Sequence, residues 1–227
     1  MSIPLCDIEW RPAWRVIPSR FPPVDLFERV ADPADLEVVT QLESMTNDRL
    51  RDQAGNLSLV AEQDRISGPG ASVIMAAFTH LNPEGSRFTD GTFGVFYASE
   101  TLDVAVAETK HHRERFLRAT NEAPMELDMR VYTMDLRGRM HDIRDKREAF
   151  RDIYHPNSYT ASQRLARELR EQNSGGIIYH SVRCTEGCNS AVFRPRLLSN
   201  CRQERHLCYR WNGQRITTVY KKELLAH

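Results

Sequence analysis

The sequence lacks the features by which several large classes of protein are recognised. No segment approaches the roughly 18 consecutive apolar residues of a membrane-spanning helix. Positive and negative charges balance, with 31 Lys and Arg against 31 Asp and Glu, so no overall field attracts the protein to nucleic acid or to a membrane. With 227 residues and 41% hydrophobic content, the composition is that of an ordinary globular protein that can bury a full core.

Cysteine is scarce and its number is odd, which argues against a disulfide framework in a chain of this length. The pairs CxxxC and HxC contain the right ligand atoms for zinc, but the first spacing is uncommon, so we expect no metal site. The segment MSIPLCDIEWRP has neither the basic start nor the apolar stretch of a secretory signal, so we expect a cytosolic protein. The residues concerned are Cys6, Cys201, Cys184-x3-Cys188 and His206-x-Cys208.

Several nucleotide-binding and hydrolytic motifs are also missing. The glycines between Gly55 and Gly85 form neither GxGxxG nor a Walker loop, which disfavours Rossmann and P-loop folds. There is no GxSxG, and the arginines are interspersed with acids, so a serine hydrolase or a direct nucleic-acid binder is poorly supported. Residues 1–100 hold 8 Lys and Arg against 15 Asp and Glu, so the remaining residues are basic. This asymmetry either orients a partner or an anionic ligand, or is mixed solvated surface.

The pattern of apolar residues predicts short strands and helices without regular alternation. Asp32 as N-cap and Pro33 at the first helical position predict a helix over residues 32–50. A short apolar run, Val73 to Phe78, leads into a polar loop, and Ser99 is expected to cap a helix that carries Glu108. The other predicted elements are strands at Thr92–Ala98, Met129–Asp135 and Ile177–Val182, a helix at Tyr159–Gln172, and a hairpin of His206–Trp211 and Gln214–Tyr220 joined by Asn212–Gly213.

This succession favours an α+β fold with mainly antiparallel pairing and flanking helices. No Pro-, Gly- or Ser-rich linker divides the chain, so we expect a single domain over residues 1–227. Within it, residues 20–70 or so form a helical extension inserted between the segment around Arg15 and the main core.

The segment Gly85 to His112 combines an arginine-bearing loop, a strand and a helix with a carboxylate. Glu108 follows Val104 by four residues and Ala105 by three, so it projects from the edge of the apolar helix face toward the sheet and is partly buried. Arg87, Tyr97 and Glu108 thus place a cation, an aromatic ring and an anion around one corner. An anionic nucleotide whose leaving group carries positive charge requires these three properties.

Two further residues are informative only in combination with Arg87, Tyr97 and Glu108. Arg15 lies in the apolar context AWRVI, and its planar guanidinium suits paired hydrogen bonds to a diphosphate, although a surface or salt-bridge role is commoner. Ser181 lies in IIYHSVR, at the end of a predicted buried strand, where its hydroxyl can point into a cleft. Taken alone, Tyr97 would be a core aromatic and Ser181 would mean little.

The order of Arg15, Arg87, Tyr97, Glu108 and Ser181 resembles that of the RES-domain toxins, a family named for an Arg, a Glu and a Ser. The resemblance is most marked over Phe78–His112, with FTHLNPEGSRF and GVFYAS, and over Ile177–Pro195. It implies a fold similar to ADP-ribosyltransferases, an activity that consumes NAD, and an antitoxin partner of the Xre helix-turn-helix class.

Carried over to this sequence, the resemblance implies a role for each residue. Arg15 and Arg87 would hold the NAD diphosphate, and Tyr97 would pack on the nicotinamide or its ribose. Glu108 would be the catalytic carboxylate, and Ser181 would fix the nicotinamide side of the ligand, with Asn189 as a neighbour. NAD would be the substrate, with inorganic phosphate or water as the acceptor, and no metal would take part.

The sequence departs from the family pattern in ways that leave the acceptor open. The loop reads Gly85-Ser86-Arg87-Phe88-Thr89 where short members have GGRWN, and Val16 stands where some members have tyrosine. Transfer of ADP-ribose to a protein is the alternative activity, but Val106 occupies the position where arginine-modifying transferases often place a second carboxylate. A third reading is a non-catalytic interaction module in which Glu108 and the arginines form an ion network.

Overall fold

The computed structural model describes residues 3–19, 27–29, 33 and 55–223. The helix predicted over residues 32–50 lies outside these ranges, apart from Pro33. Within them no helix combines the length and apolarity needed to cross a membrane. The strands are β1 (Leu5–Pro18), β2 (Phe96–Ser99), β3 (Met125–Asp142), β4 (Gly176–His180), β5 (Cys188–Val192), β6 (Leu198–Trp211) and β7 (Ile216–Lys222), and the α-helices are α1 (Ala71–Thr79), α2 (Leu102–Ala119) and α3 (Thr160–Glu171).

The seven strands of the described part form one sheet in the order β1-β2-β5-β4-β3-β6-β7. A further pairing between β1 and β3 closes the first five strands into a circuit. Every pairing is antiparallel except that between β3 and β4, where His141 and Asp142 lie opposite Ile177 and Ile178. The predicted α+β class and its mainly antiparallel pairing are therefore confirmed.

Strand β1 is long, and the sequence did not predict it. It pairs with β3 from Leu5, opposite His141, to Pro18, opposite Met129. Its alternation of buried and exposed residues is interrupted because the register shifts between Trp10 and Ala13. That shift, with charged residues and Pro12 in the same stretch, hides the period of two on which a strand prediction depends.

Most of the other predicted elements are present with different ends. The helix at Thr160–Glu171, the strand at Gly176–His180 and the β6–β7 hairpin confirm the predictions. The strand expected at Thr92–Ala98 begins only at Phe96, and the run Val73–Phe78 is the middle of helix α1. The expectation that Ser99 caps α2 was wrong, because the side chain of Thr101 accepts the N–H of Val104 instead, at 3.4 Å.

Apolar packing fixes the two helices that border the site. Helix α2 buries Ala105 and Leu117 against the β6 side of the sheet, in a cluster that includes Tyr209 and Trp211. Helix α3 buries Ala166 and Leu169 in a separate cluster, together with β4 and with the loop that precedes β2. The end of β2, the start of β5 and the middle of α2 therefore meet at one place, with β1 alongside.

Candidate active site

A cleft of about 400 Å³ lies where β1, the Arg87 loop, α2 and β5 meet. Five of the six residues singled out from the sequence line it, namely Arg15, Arg87, Tyr97, Glu108 and Asn189. Ser181 is fully buried and is not among the lining residues. The structure thus brings together residues that are widely separated in the sequence, although their roles toward a ligand stay predictions.

Glu108 is half-buried on α2, as its helical position predicted. Its Oε1 accepts two hydrogen bonds, from Ser181 Oγ at 2.7 Å and from Asn189 Nδ2 at 2.8 Å. Its Oε2 has no hydrogen-bond partner within the described part of the chain. One oxygen is therefore fixed by neutral donors, and the other is available to whatever occupies the cleft.

The hydroxyl of Ser181 can donate in one direction only. It accepts the backbone N–H groups of Arg183, at 3.0 Å, and Cys184, at 2.9 Å. Since a hydroxyl has two acceptor positions and one hydrogen, its hydrogen is left for Glu108. Ser181 therefore lies behind the carboxylate and orients it from the side away from the cleft.

Glycine at position 187 allows this segment to approach the helix. The backbone N–H of Ser181 donates to Gly187 O at 2.7 Å, which closes the loop between β4 and β5. A Cβ at Gly187 would lie 2.2 Å from Val104 Cγ2 on α2. Any larger residue would push the loop from α2 and would move Ser181 relative to Glu108.

Arg15 is a largely enclosed cation. Its Nη1 donates to the backbone oxygen of Tyr97 at 2.9 Å, and its guanidinium lies 4.2 Å from the centre of the Phe96 ring. Burial lowers the pKa of Arg15 to about 10, so it stays cationic at neutral pH. No ion pair to Arg15 occurs among the residues that the structure describes.

Arg87 is a second cation without a carboxylate partner in the described ranges. It is only 9% exposed, and its Nη1 donates to the carbonyl oxygens of Ile153, at 2.9 Å, and His155, at 3.0 Å. Its guanidinium also lies 4.7 Å from the centre of the Tyr159 ring. A buried charge that contacts only neutral groups is costly, and an anionic ligand would offset that cost.

Tyr97 connects the two arginines. Its hydroxyl accepts the backbone N–H of Phe88 at 2.9 Å and shares a 2.7 Å hydrogen bond with Ser86 Oγ, so it holds the loop on either side of Arg87. Burial raises the pKa of Tyr97 to about 12, which keeps the phenol neutral. The ring lines the cleft while the hydroxyl is used within the protein.

Several residues of the site gave no signal in the sequence. Gln163 on α3 donates from Nε2 to the backbone oxygens of Ser86, at 3.0 Å, and Thr89, at 3.2 Å, so it clamps the Arg87 loop from outside. Arg113 and Arg183 also line the cleft, which thus contains four arginines and one glutamate. A neutral protein therefore presents a positive cleft, suited to an anion.

The cysteines lie apart from this chemistry. All five are free thiols, and the described ranges contain no group of three or more His, Cys, Asp or Glu that could hold a metal ion. Cys184 takes part in the site only through its backbone N–H.

The fold and the site together define an α+β protein with a carboxylate between arginines. Comparison with known proteins identifies the family. The RES domain model matches residues 63–212, so the chain belongs to the RES-domain family. The uncharacterized protein y4oC of Sinorhizobium fredii is 33% identical over 209 residues, which is 91% of this chain and 86% of that protein. A chain in the crystal structure of the M. tuberculosis MbcT–MbcA toxin–antitoxin complex is similar at 14% identity and a TM-score of 0.45, over 91% of this chain and 87% of that one.

The family match has an informative boundary. It includes Arg87, Tyr97, Glu108, Ser181 and Asn189, whereas Arg15 lies before its first matched residue, 63. The structure joins Arg15 to the site through β1, which pairs with β2 at Trp14 and Ser99. The matched residues 63–212 supply only Arg87 of the two enclosed arginines, and strand β1 brings the other, Arg15, into the cleft.

Proposed function

We propose that this protein is a bacterial toxin that depletes NAD by cleaving its nicotinamide–ribose bond with Glu108. The observation that carries the proposal is the state of that carboxylate. Its Oε1 is fixed by Ser181 and Asn189, while Oε2 is unbonded within the described chain, in a cleft with two enclosed arginines. Membership of the RES-domain family supports the proposal.

The chemistry requires a fixed negative charge beside the ribose. Cleavage of the bond builds positive charge on the ribose carbon while nicotinamide leaves as a neutral molecule. A carboxylate held in place beside that carbon lowers the barrier electrostatically, as in glycoside hydrolysis. Because neutral hydroxyl and amide groups orient Glu108, its negative charge is not cancelled by an ion pair.

The arginines supply binding away from the reacting bond. Guanidinium groups bind a diphosphate by paired, charge-assisted hydrogen bonds, and in this proposal Arg15 and Arg87 have that role. Such remote contacts anchor the substrate and position the ribose against Glu108. Tyr97 offers its ring to the nicotinamide or its ribose, and Ser181 acts through its hold on the carboxylate.

The acceptor is the undecided part of the reaction, and one experiment identifies it. Purified protein is incubated with NAD, with and without inorganic phosphate, and the products are separated by chromatography. ADP-ribose-1″-phosphate formed only with phosphate means phosphorolysis, and ADP-ribose in both samples means hydrolysis. If NAD stays intact in both, the proposal of NAD depletion is wrong, and labelled NAD in a bacterial lysate then tests for transfer to a protein.

The toxin assignment makes a cellular prediction of its own. Expression of the wild-type chain in the cytosol should lower the NAD pool and stop growth, whereas the Glu108→Gln variant should do neither. We propose that an antitoxin of the Xre class restrains the protein by covering the cleft, as the family resemblance implies. Growth arrest without any fall in NAD would contradict the proposed mechanism while leaving a toxic activity.

A further inference from the structure

Ser99 lines the cleft at the junction of three strands, and the sequence assigned it a role that it does not have. It is the last residue of β2, opposite Trp14 of β1 and Asn189 of β5. Since Thr101 caps helix α2, the Ser99 hydroxyl is not needed there. It donates to Asn189 Oδ1 instead, at 2.6 Å.

This contact holds the Asn189 amide in the orientation that Glu108 requires. A carboxylate only accepts hydrogen bonds, so Asn189 must turn its NH₂ group toward Glu108 and its carbonyl away. The Nδ2 atom lies 2.8 Å from Glu108 Oε1 in that orientation. The opposite orientation would set the amide oxygen against the carboxylate, and it would also leave the buried Ser99 hydroxyl without its present acceptor.

We infer that Ser99 is a positioning residue, which orients Glu108 by fixing the amide of Asn189. The result is a chain of hydrogen bonds from the end of β2, across β5, to the middle of α2. Ser99 and Asn189 are only 5% and 3% exposed, so water does not readily replace either partner. The inference rests on the proposed function, because the purpose of the chain is to present Glu108 to the substrate.

The neighbouring Ser190 offers a matched control. It is fully buried, and its hydroxyl donates to Ala98 O at 3.1 Å across the same pair of strands. It therefore resembles Ser99 in burial and in its use of a cross-strand hydrogen bond, but its bond is to the backbone and not to Asn189. Ser190→Ala therefore shows the effect of losing a buried serine hydroxyl from this strand pair when the bond to Asn189 is left intact.

The first test is kinetic. Ser99→Ala should lower kcat for NAD cleavage about tenfold, because a displaced reacting group lowers the rate, with little change in KM. Ser99→Thr keeps the hydroxyl and should restore most of kcat, and Ser190→Ala should leave kcat near the wild-type value. In an Asn189→Ala background, Ser99→Ala should cause no further loss, because its effect passes through the amide. An equal loss in both backgrounds, or an equal loss from Ser190→Ala, would overturn the inference.

The second test does not depend on turnover. The side-chain NH₂ resonances of Asn189 are assigned in an NMR spectrum by their absence in Asn189→Ala. They should shift in Ser99→Ala and keep their positions in Ser190→Ala. Unchanged resonances in Ser99→Ala would disprove the contact even in an active enzyme. If the wild type does not cleave NAD, the proposed function fails, and this spectrum still decides whether Ser99 orients Asn189.

Discussion

The two sides of the cleft hold their charged groups in different ways. On one side, the short side chains of Ser181, directly after β4, and Asn189, in β5, fix one oxygen of Glu108, and both residues are buried. On the other side, Arg87 lies on a loop, and carbonyl oxygens, the Tyr97 hydroxyl and Gln163 hold the loop and its guanidinium. Glu108, to which we assign the chemistry, is therefore oriented by hydrogen bonds to one of its own oxygens. Arg87, to which we assign binding, is positioned mainly because its whole loop is held. Substitutions on the carboxylate side should therefore affect mainly kcat, and those on the loop side mainly KM.

Among the residues that orient Glu108, the largest effect is expected from Ser181→Ala. Loss of the hydroxyl removes one of the two donors to Glu108 Oε1 and also leaves the N–H groups of Arg183 and Cys184 without their acceptor. Orphaned buried donors cost about 1–3 kcal/mol each, so the thermal midpoint should fall together with a roughly 100-fold loss in kcat. Steady-state kinetics and a melting curve measure both. A normal kcat in the folded variant would show that Ser181 does not orient Glu108.

On the loop side, Arg87→Ala should raise KM for NAD by about 10–100-fold, the cost of a charge-assisted hydrogen bond, with a smaller change in kcat. Arg167→Ala is the matched control, since Arg167 forms an exposed ion pair with Asp90, which follows the same loop. That control should change neither constant. If Arg87→Ala lowered kcat alone, the division between binding and chemistry would be wrong.

A smaller effect is expected from Gln163→Ala, which releases the clamp on Ser86 O and Thr89 O but leaves Arg87 in place. Each of the two neutral hydrogen bonds contributes about 0.5–1.5 kcal/mol to the position of the loop. Because Arg87 keeps its own bonds to Ile153 O and His155 O, only part of this loss reaches binding, and KM should rise about tenfold or less with kcat nearly unchanged. Arg164→Ala, at an exposed position on the same helix, serves as the control. Calorimetric titration with NAD would distinguish weaker binding from slower chemistry.

The smallest effect under ordinary conditions is a pH dependence of binding. Because burial lowers the pKa of Arg15 to about 10, its positive charge is complete at neutral pH and is lost as the pH rises through that value. NAD affinity should therefore fall above a pH of about 10, more steeply than in Arg15→Gln, where this charge is absent at every pH. Parallel curves for the two proteins would show that Arg15 keeps its charge over this range, and an Arg15→Gln affinity equal to that of wild type at neutral pH would show that Arg15 does not contact the anion.

The sequence predicted well the features that depend on neighbouring residues. The hairpin of β6 and β7, the helical pattern up to Glu171 and the half-burial of Glu108 follow from local preferences and from a helical period, and the structure confirms them. The expected two-residue Asn212–Gly213 loop was wrong in its length, because β7 begins only at Ile216 and the turn closes between Asn212 and Arg215, with a positive φ at Gly213. The ordered set of Arg, Tyr, Glu and Ser also indicated the family that the match over residues 63–212 shows.

What the sequence did not reveal depends on long-range contacts. Strand β1 was missed because its register shift interrupts the alternation. Serine gives equal support to a helix cap and to a cross-strand hydrogen bond, and only the placement of β5 beside β2 decides between them for Ser99. Gln163 is an ordinary polar residue of a helix until the fold brings the Arg87 loop against it.

The central claim is that Glu108 performs the chemistry while the arginines perform the binding, and one measurement tests it most directly. NAD binding by calorimetry and nicotinamide release by chromatography are compared for wild type, Glu108→Gln and Asp103→Asn, the last being an exposed acid on the same helix. We predict that Glu108→Gln binds NAD within a few-fold of wild type but releases nicotinamide at least about 10²–10³-fold more slowly, while Asp103→Asn matches wild type in both. Full nicotinamide release by a folded Glu108→Gln protein would contradict the account.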